Sequence, residues 1–136
     1  MEIKLTTELF CLVATVTMTA LFWVPYILNR LLEQGIPNAL WDPEGRTETK
    51  HAWAERMMRA HDNAIENLAI FAPLVLTAHV MGVSTHATET ACMVYFYARL
   101  AHYLVFTFKV PVLRVVTFLT GFGAQMVLAL TLLGKL

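Results

Sequence analysis

The places where charge is missing constrain this chain more than anything else in it. Between Glu8 and Arg30 lie 21 uncharged residues, between Glu66 and Glu89 lie 22, and between Arg114 and Lys135 lie 20. Between Glu89 and Lys109 lie 19 more, interrupted only by Arg99. About 20 apolar residues, each rising about 1.5 Å, cover a hydrocarbon core of roughly 30 Å. Inside lipid a backbone must satisfy its own N–H and C=O groups, and within one segment only the α-helix does so. The runs therefore predict an all-α integral membrane protein, a four-helix bundle in one domain over residues 1–136. Its spans fall at about 7–30, 54–81, 88–109 and 111–134.

Composition agrees. Hydrophobic residues make up 57% of the 136, charged residues 15%, and mean hydropathy is +0.58. A soluble domain is nearer a quarter charged. Net charge is zero, so no basic field exists for nucleic acid. Cys11 and Cys92 stand in apolar stretches as free buried thiols, with no Cys/His spacing that would hold a metal. Lys4 lies between Glu2 and Glu8, which leaves no basic region of the kind that precedes a signal peptide, so the first run reads as a retained span. Pro25 and Pro73 fall inside spans and are expected to bend them, whereas Pro111 suits the first turn of a helix. Gly121-Phe122-Gly123-Ala124 permits close helix contact.

The connections carry the orientation. Arg30, Arg46, Lys50, Arg56 and Arg59 cluster around a long polar first loop, and Lys109 and Arg114 flank a short third one. Only Lys4 and Lys135 lie opposite. The positive-inside rule then places loops one and three in the cytoplasm and both termini on the other side.

The chemistry concentrates in the cytoplasmic half. Along the second span Arg56, Arg59, Asn63 and Glu66 recur at three- and four-residue steps, a polar stripe carried into the membrane. Glu66 lies ten residues past Arg56, and Arg99 lies ten residues before Lys109 on the antiparallel third span. The two charges should reach matching depth, where each is costly alone, so a Glu66–Arg99 ion pair is expected. That pair serves either as a bridge fixing helix register or as a wall of a polar pocket. Arg99, His102, Tyr103 and Phe106 continue at helical spacing, and Arg114 opens the fourth span. Arg59, Asn63, His102 and Arg114 can thus converge on a cavity open to the cytoplasm and suited to a small anionic, peptide-like ligand. His51, His61, His79 and His86 show no metal-ligand spacing; His79 and His86, on the far side from the arginine cluster, read as surface or loop residues, and Tyr95-Phe96-Tyr97 as packing.

Glu55-Arg56-x-x-Arg59-Ala60-His61-x-Asn63-x-x-Glu66, with Tyr97-Ala98-Arg99-Leu100-Ala101-His102 and Pro111-Val112-Leu113-Arg114, resembles the membrane-associated proteins in eicosanoid and glutathione metabolism, the MAPEG family. The likeness is to bacterial-type members related to the microsomal glutathione transferases, and covers roughly the last 80 residues. It implies a homotrimer in a bacterial inner membrane, with glutathione as cosubstrate between subunits and a lipophilic substrate arriving from the lipid. It assigns glutathione contacts to Arg59, Asn63, Glu66 and His102, with Arg30 at the end of the first span. It also implies a bridging role for Arg99 and thiolate stabilisation by Arg114. Phe106 and Phe118 stand where well-studied catalytic members hold tyrosine, and Asp62 where some hold another arginine. Tyr103, one turn back, is the available phenol.

The resulting expectation is a glutathione-dependent transferase or peroxidase acting on lipophilic electrophiles or lipid hydroperoxides. The alternative is a non-catalytic glutathione- or lipid-binding protein of the same family. A small four-span transporter is a third reading, opposed by the absence of an acidic residue in the first span beyond Glu8.

Overall fold

The computed structural model describes residues 4–45 and 48–134, and every regular element among them is helical. Glu2, Arg46 and Lys135, which carry part of the leader and orientation readings, lie outside the described residues. Helix α1, Thr7–Leu21, starts where the Thr6 hydroxyl accepts the Leu9 N–H at 3.2 Å, satisfying a donor that every helix start leaves open. It stops at Phe22, and Pro25 sits in the first turn of α2, Val24–Gln34. Proline brings no N–H to a continuing helix, and its ring crowds the carbonyl four residues back, here that of Leu21. The first apolar run is thus two helices meeting at Phe22–Trp23. Pro73 behaves differently, because α4, Ala52–Val80, runs through it unbroken. Phe71 and Val75, on either side of it, are fully buried and pin the helix above and below.

Gly35, at φ 79°, ends α2 and leads into the short α3, Ile36–Leu40. The loop after α3 is tied back to α2. Arg30 pairs with Asp42, and the Glu33 carboxylate accepts from the Asn29 amide, the Thr49 hydroxyl at 2.7 Å and the Lys50 N–H. Helix α5, His86–Thr107, opens on a reciprocal Thr85/Thr88 capping box, and α6, Pro111–Leu132, opens on its proline.

Contacts fix the helix directions. Glu8 at the start of α1 meets Thr88 at the start of α5, and Phe22 at its end stacks on Tyr103 near the end of α5; these two run parallel. Tyr26, past the end of α1, meets His61 early in α4, while Cys11 and Leu12 share a core cluster with Phe71 and Val75 late in α4. Thus α4 runs the other way, and α6 runs with it, since Arg114 lies by Phe106 and Gln125 by Asn67.

One core cluster holds Cys11, Leu12, Phe71, Val75, Cys92, Tyr95 and Leu128, the other Phe22, Met57, Ala60, Ala64 and Tyr103. The Phe71–Tyr95 and Phe22–Tyr103 rings stack at 3.8 and 3.7 Å, each pair adding about 0.5–1.5 kcal/mol beyond its burial. Three helical stretches are long and apolar enough to cross a membrane: Thr7–Gln34, Ala52–Val80 and Pro111–Leu132. Helix α5 is less apolar because it holds Arg99, His102 and three tyrosines. It is also the element packed against α1, α4 and α6 alike, so Arg99 and His102 are surrounded by protein. Apolar side chains such as Phe10, Leu76, Val80 and Leu119 are exposed on the outside, a surface that suits lipid.

Candidate functional site

The polar stripe of α4 divides as it enters the fold. Arg56 and Asn63, two turns apart, lean toward α5; Arg59 and Glu66, displaced from them by about 60° around the helix, are exposed. Arg56 Nε donates to the Thr107 carbonyl at 3.0 Å. It closes the C-terminal end of α5, where carbonyls lack partners and the helix dipole favours a cation.

Between the two apolar clusters runs a chain of partly and fully buried amides and charge. Gln125 of α6 donates to the Asn67 carbonyl at 3.1 Å, and the Asn67 amide donates to the Asn63 carbonyl at 2.8 Å. Asn63 Oδ1 in turn accepts from Arg99 Nη2 at 2.6 Å. His102 Nδ1 lies 3.4 Å from the same Nη2; a guanidinium only donates, so Nδ1 accepts and a neutral ring carries its proton on Nε2. Arg99 is 2% exposed, and its Nε has no hydrogen-bond partner. Gly121 of α6 packs against this point, where a Cβ on it would meet Arg99 Cδ at 3.6 Å, an ordinary van der Waals contact.

At the end of this chain nearest the α5–α6 turn the chemistry becomes accessible. His102 is buried, with the Phe106 ring 5.6 Å away edge-on and the Phe118 ring at 6.2 Å. On the other side of Phe106 stands Arg114, exposed, its Cζ 5.1 Å from the ring centroid. The exposed face of α4 forms a second group. Arg59 pairs with Glu55 at 2.7 Å, beside a cavity of about 560 Å³ that Tyr26, Thr49, Arg59 and Asp62 help to line. The Tyr26 hydroxyl is bonded to His61 Nδ1 at 2.7 Å.

The MAPEG family model matches residues 9–134. The chain belongs to the MAPEG family. None of the curated proteins compared with it is similar enough to count as a match. With three helices apolar enough to span a bilayer, this MAPEG chain is an integral membrane protein.

Within the MAPEG chain several expected partners change. Arg99 is held by Asn63 rather than by Glu66, because Asn63 faces α5 whereas Glu66, less than one turn further on, faces outward. Tyr103, the phenol expected to replace the missing tyrosines, donates its hydroxyl to the Phe22 carbonyl at 2.8 Å. That carbonyl is left open where α1 ends, so Tyr103 is spent on structure. Arg30 is occupied by Asp42. Of the residues expected to converge on one cavity, Asn63 and His102 belong to the chain of hydrogen bonds around Arg99, Arg114 stands beside Phe106, and Arg59 lies on the exposed face of α4 beside the cavity of about 560 Å³. Sequence reasoning does not single out Gln125, Asn67, Tyr26 or Glu33. An amide alone in an apolar span, as Gln125 is, is a signal that could have found it; nothing local marks Tyr26, whose partner lies 35 residues away, and Glu33 is tied both to Asn29 four residues back and to Thr49 16 residues on.

Proposed function

We propose that this MAPEG protein is a membrane-embedded, glutathione-dependent transferase or peroxidase that works as a homotrimer, all four long helical segments crossing the bilayer. One observation carries the reading: Arg59, Asp62 and Glu66 lie exposed along α4, a helix apolar enough to span. A charge facing acyl chains at mid-bilayer costs about 3 kcal/mol on insertion scales. A neighbouring copy over this face removes that cost and leaves a polar crevice at the boundary. Arg59 and Glu66 then meet the carboxylate and ammonium ends of glutathione, with Asn63 and His102 behind. The number three, the bacterial inner membrane and the placement of loops one and three in the cytoplasm follow the family resemblance and the lysine and arginine distribution.

The chemistry is thiolate chemistry. A free thiol with pKa about 8.5 is mostly protonated at neutral pH, and the guanidinium of Arg114 favours the thiolate by charge. In conjugation the sulfur forms a bond to an electrophilic carbon and a leaving group departs. In peroxide reduction it attacks the distal oxygen of a hydroperoxide and the O–O bond breaks. The alkoxide takes a proton, and a second glutathione converts the sulfenic acid to disulfide and water.

A specific observation supports the alternative of a non-catalytic glutathione- or lipid-binding protein. With Tyr103 committed to Phe22, and phenylalanine rather than tyrosine at 106 and 118, none of these three positions offers a free phenol to aid the sulfur. Arg114→Ala decides between them. For an enzyme, turnover of a generic electrophile falls by about 100-fold, the scale of losing one electrostatic catalytic group, while glutathione affinity changes less than threefold. Glutathione binding without turnover in the unaltered protein supports the binder.

A further inference from the structure

The phenylalanine at position 106 looks like the loss of a catalytic hydroxyl. Its surroundings describe a different role. Arg114 is exposed on the first turns of α6 and has no carboxylate partner among the salt bridges of the described residues. A long cationic side chain there would sample many rotamers. Its Cζ instead lies over the Phe106 ring, 5.1 Å from the centroid, within the range where the negative face of an aromatic ring attracts a cation. The ring is itself immobilised. It is half-buried, and its contact with His102 at 71° between planes rests on a residue that touches Arg99. The covalent path between α5 and α6 is short and tightly turned, with Val110 N–H donating to the Val105 carbonyl at 2.9 Å and Lys109 at φ 61°. Ring and guanidinium are therefore set by the same turn.

Resting on the glutathione-dependent reading, we propose that Phe106 is a positioning residue: its ring face seats the Arg114 guanidinium and leaves the N–H groups turned away from the ring for the sulfur. A tyrosine at 106 would offer the same face, so the seat depends on the aromatic ring and not on a hydroxyl. The seat matters more in this chain than where a phenol shares the work, because positions 106 and 118 are both phenylalanine and supply no hydroxyl beside Arg114.

The test compares Phe106→Leu and Phe106→Tyr in the intact protein in lipid nanodiscs, with helical content checked by circular dichroism. Phe106→Leu should lower kcat about fivefold, the factor that a partly exposed cation–π contact represents. KM for glutathione should stay within twofold, and the pH midpoint of turnover should move up by about 0.7 of a unit, toward the free thiol. Phe106→Tyr should restore both. A readout independent of turnover is the side-chain Nε–Hε resonance of Arg114, identified by its loss in Arg114→Ala. Ring current should displace it upfield in the unaltered protein and in Phe106→Tyr but not in Phe106→Leu. An undisplaced resonance, or a leucine variant with unchanged kcat and pH midpoint, overturns the proposal. An unaltered protein with no glutathione-dependent turnover sinks the enzyme reading instead, and the resonance alone then supports or overturns the seat.

Discussion

Asn63 and Glu66 differ by three positions and face different environments. Asn63 Oδ1 is the closest acceptor of Arg99, so Asn63→Ala leaves a buried guanidinium donor unmade. A loss of stability of about 1–3 kcal/mol is expected, read as a lower unfolding midpoint in micelles. Glu66→Gln, on the exposed face, should leave that midpoint unchanged while weakening glutathione binding. The reverse pattern would restore the Glu66–Arg99 pair. Lys109 is the one non-glycine residue at positive φ among the described residues. The left-handed region costs a β-carbon-bearing residue about 1–2 kcal/mol, so Lys109→Gly should raise the midpoint. It should also loosen the α5–α6 turn that holds Arg114 near Phe106, which a lower kcat would report.

Among elements, α5 is the one on which the others are organised. Its buried residues Ala91, Cys92, Tyr95, Ala98, Arg99, His102 and Tyr103 form a stripe at three- and four-residue steps. The stripe touches α1, α4 and α6 in turn. Two polar anchors tie α1 to it. At one end the buried Glu8 carboxylate accepts from Ser84 at 3.0 Å and Thr88 at 2.7 Å. At the other, Tyr103 satisfies the Phe22 carbonyl at the α1–α2 break. Tyr103→Phe keeps the stacking and loses only that hydrogen bond. Thermal unfolding should show a loss of about 1 kcal/mol with glutathione affinity intact; a selective loss of affinity would instead make Tyr103 a ligand contact.

Across the protein as a whole, the two halves of the proposed site are exposed on different helices. Arg114 stands at the α5–α6 mouth and Arg59 and Glu66 on the outer face of α4. A site straddling copies predicts complementation. Arg114→Ala and Glu66→Gln chains, each weak alone, should recover part of the turnover when co-assembled, because some boundaries then carry both intact residues. No recovery would mean that each copy works alone. Glutathione at 100 times its Kd should also stabilise the assembly by about 2.7 kcal/mol, by mass action, seen as a raised unfolding midpoint.

Solvent and period account for the part of this protein that is legible in its amino-acid order. Charge-free runs of membrane length make helices in lipid, whichever partners they later find, because the backbone has no other way to satisfy its polar groups. The spacing of Arg59, Asn63, Glu66, Arg99, His102 and Arg114 marks the polar region for the same reason: charge within a span must have a use or a partner. The choice of partner belongs to the packed fold. Asn63 and Glu66 are equally polar in sequence, but a rotation of about 60° puts one against α5 and the other outside. Tyr103 and Phe106 are adjacent turns of α5, but the first is drawn to an open carbonyl of α1 and the second lies under Arg114 of α6. Such assignments rest on contacts across 36, 81 and 8 positions of chain. Local periodicity carries no information about the rotation of one helix against its neighbour; packing sets that.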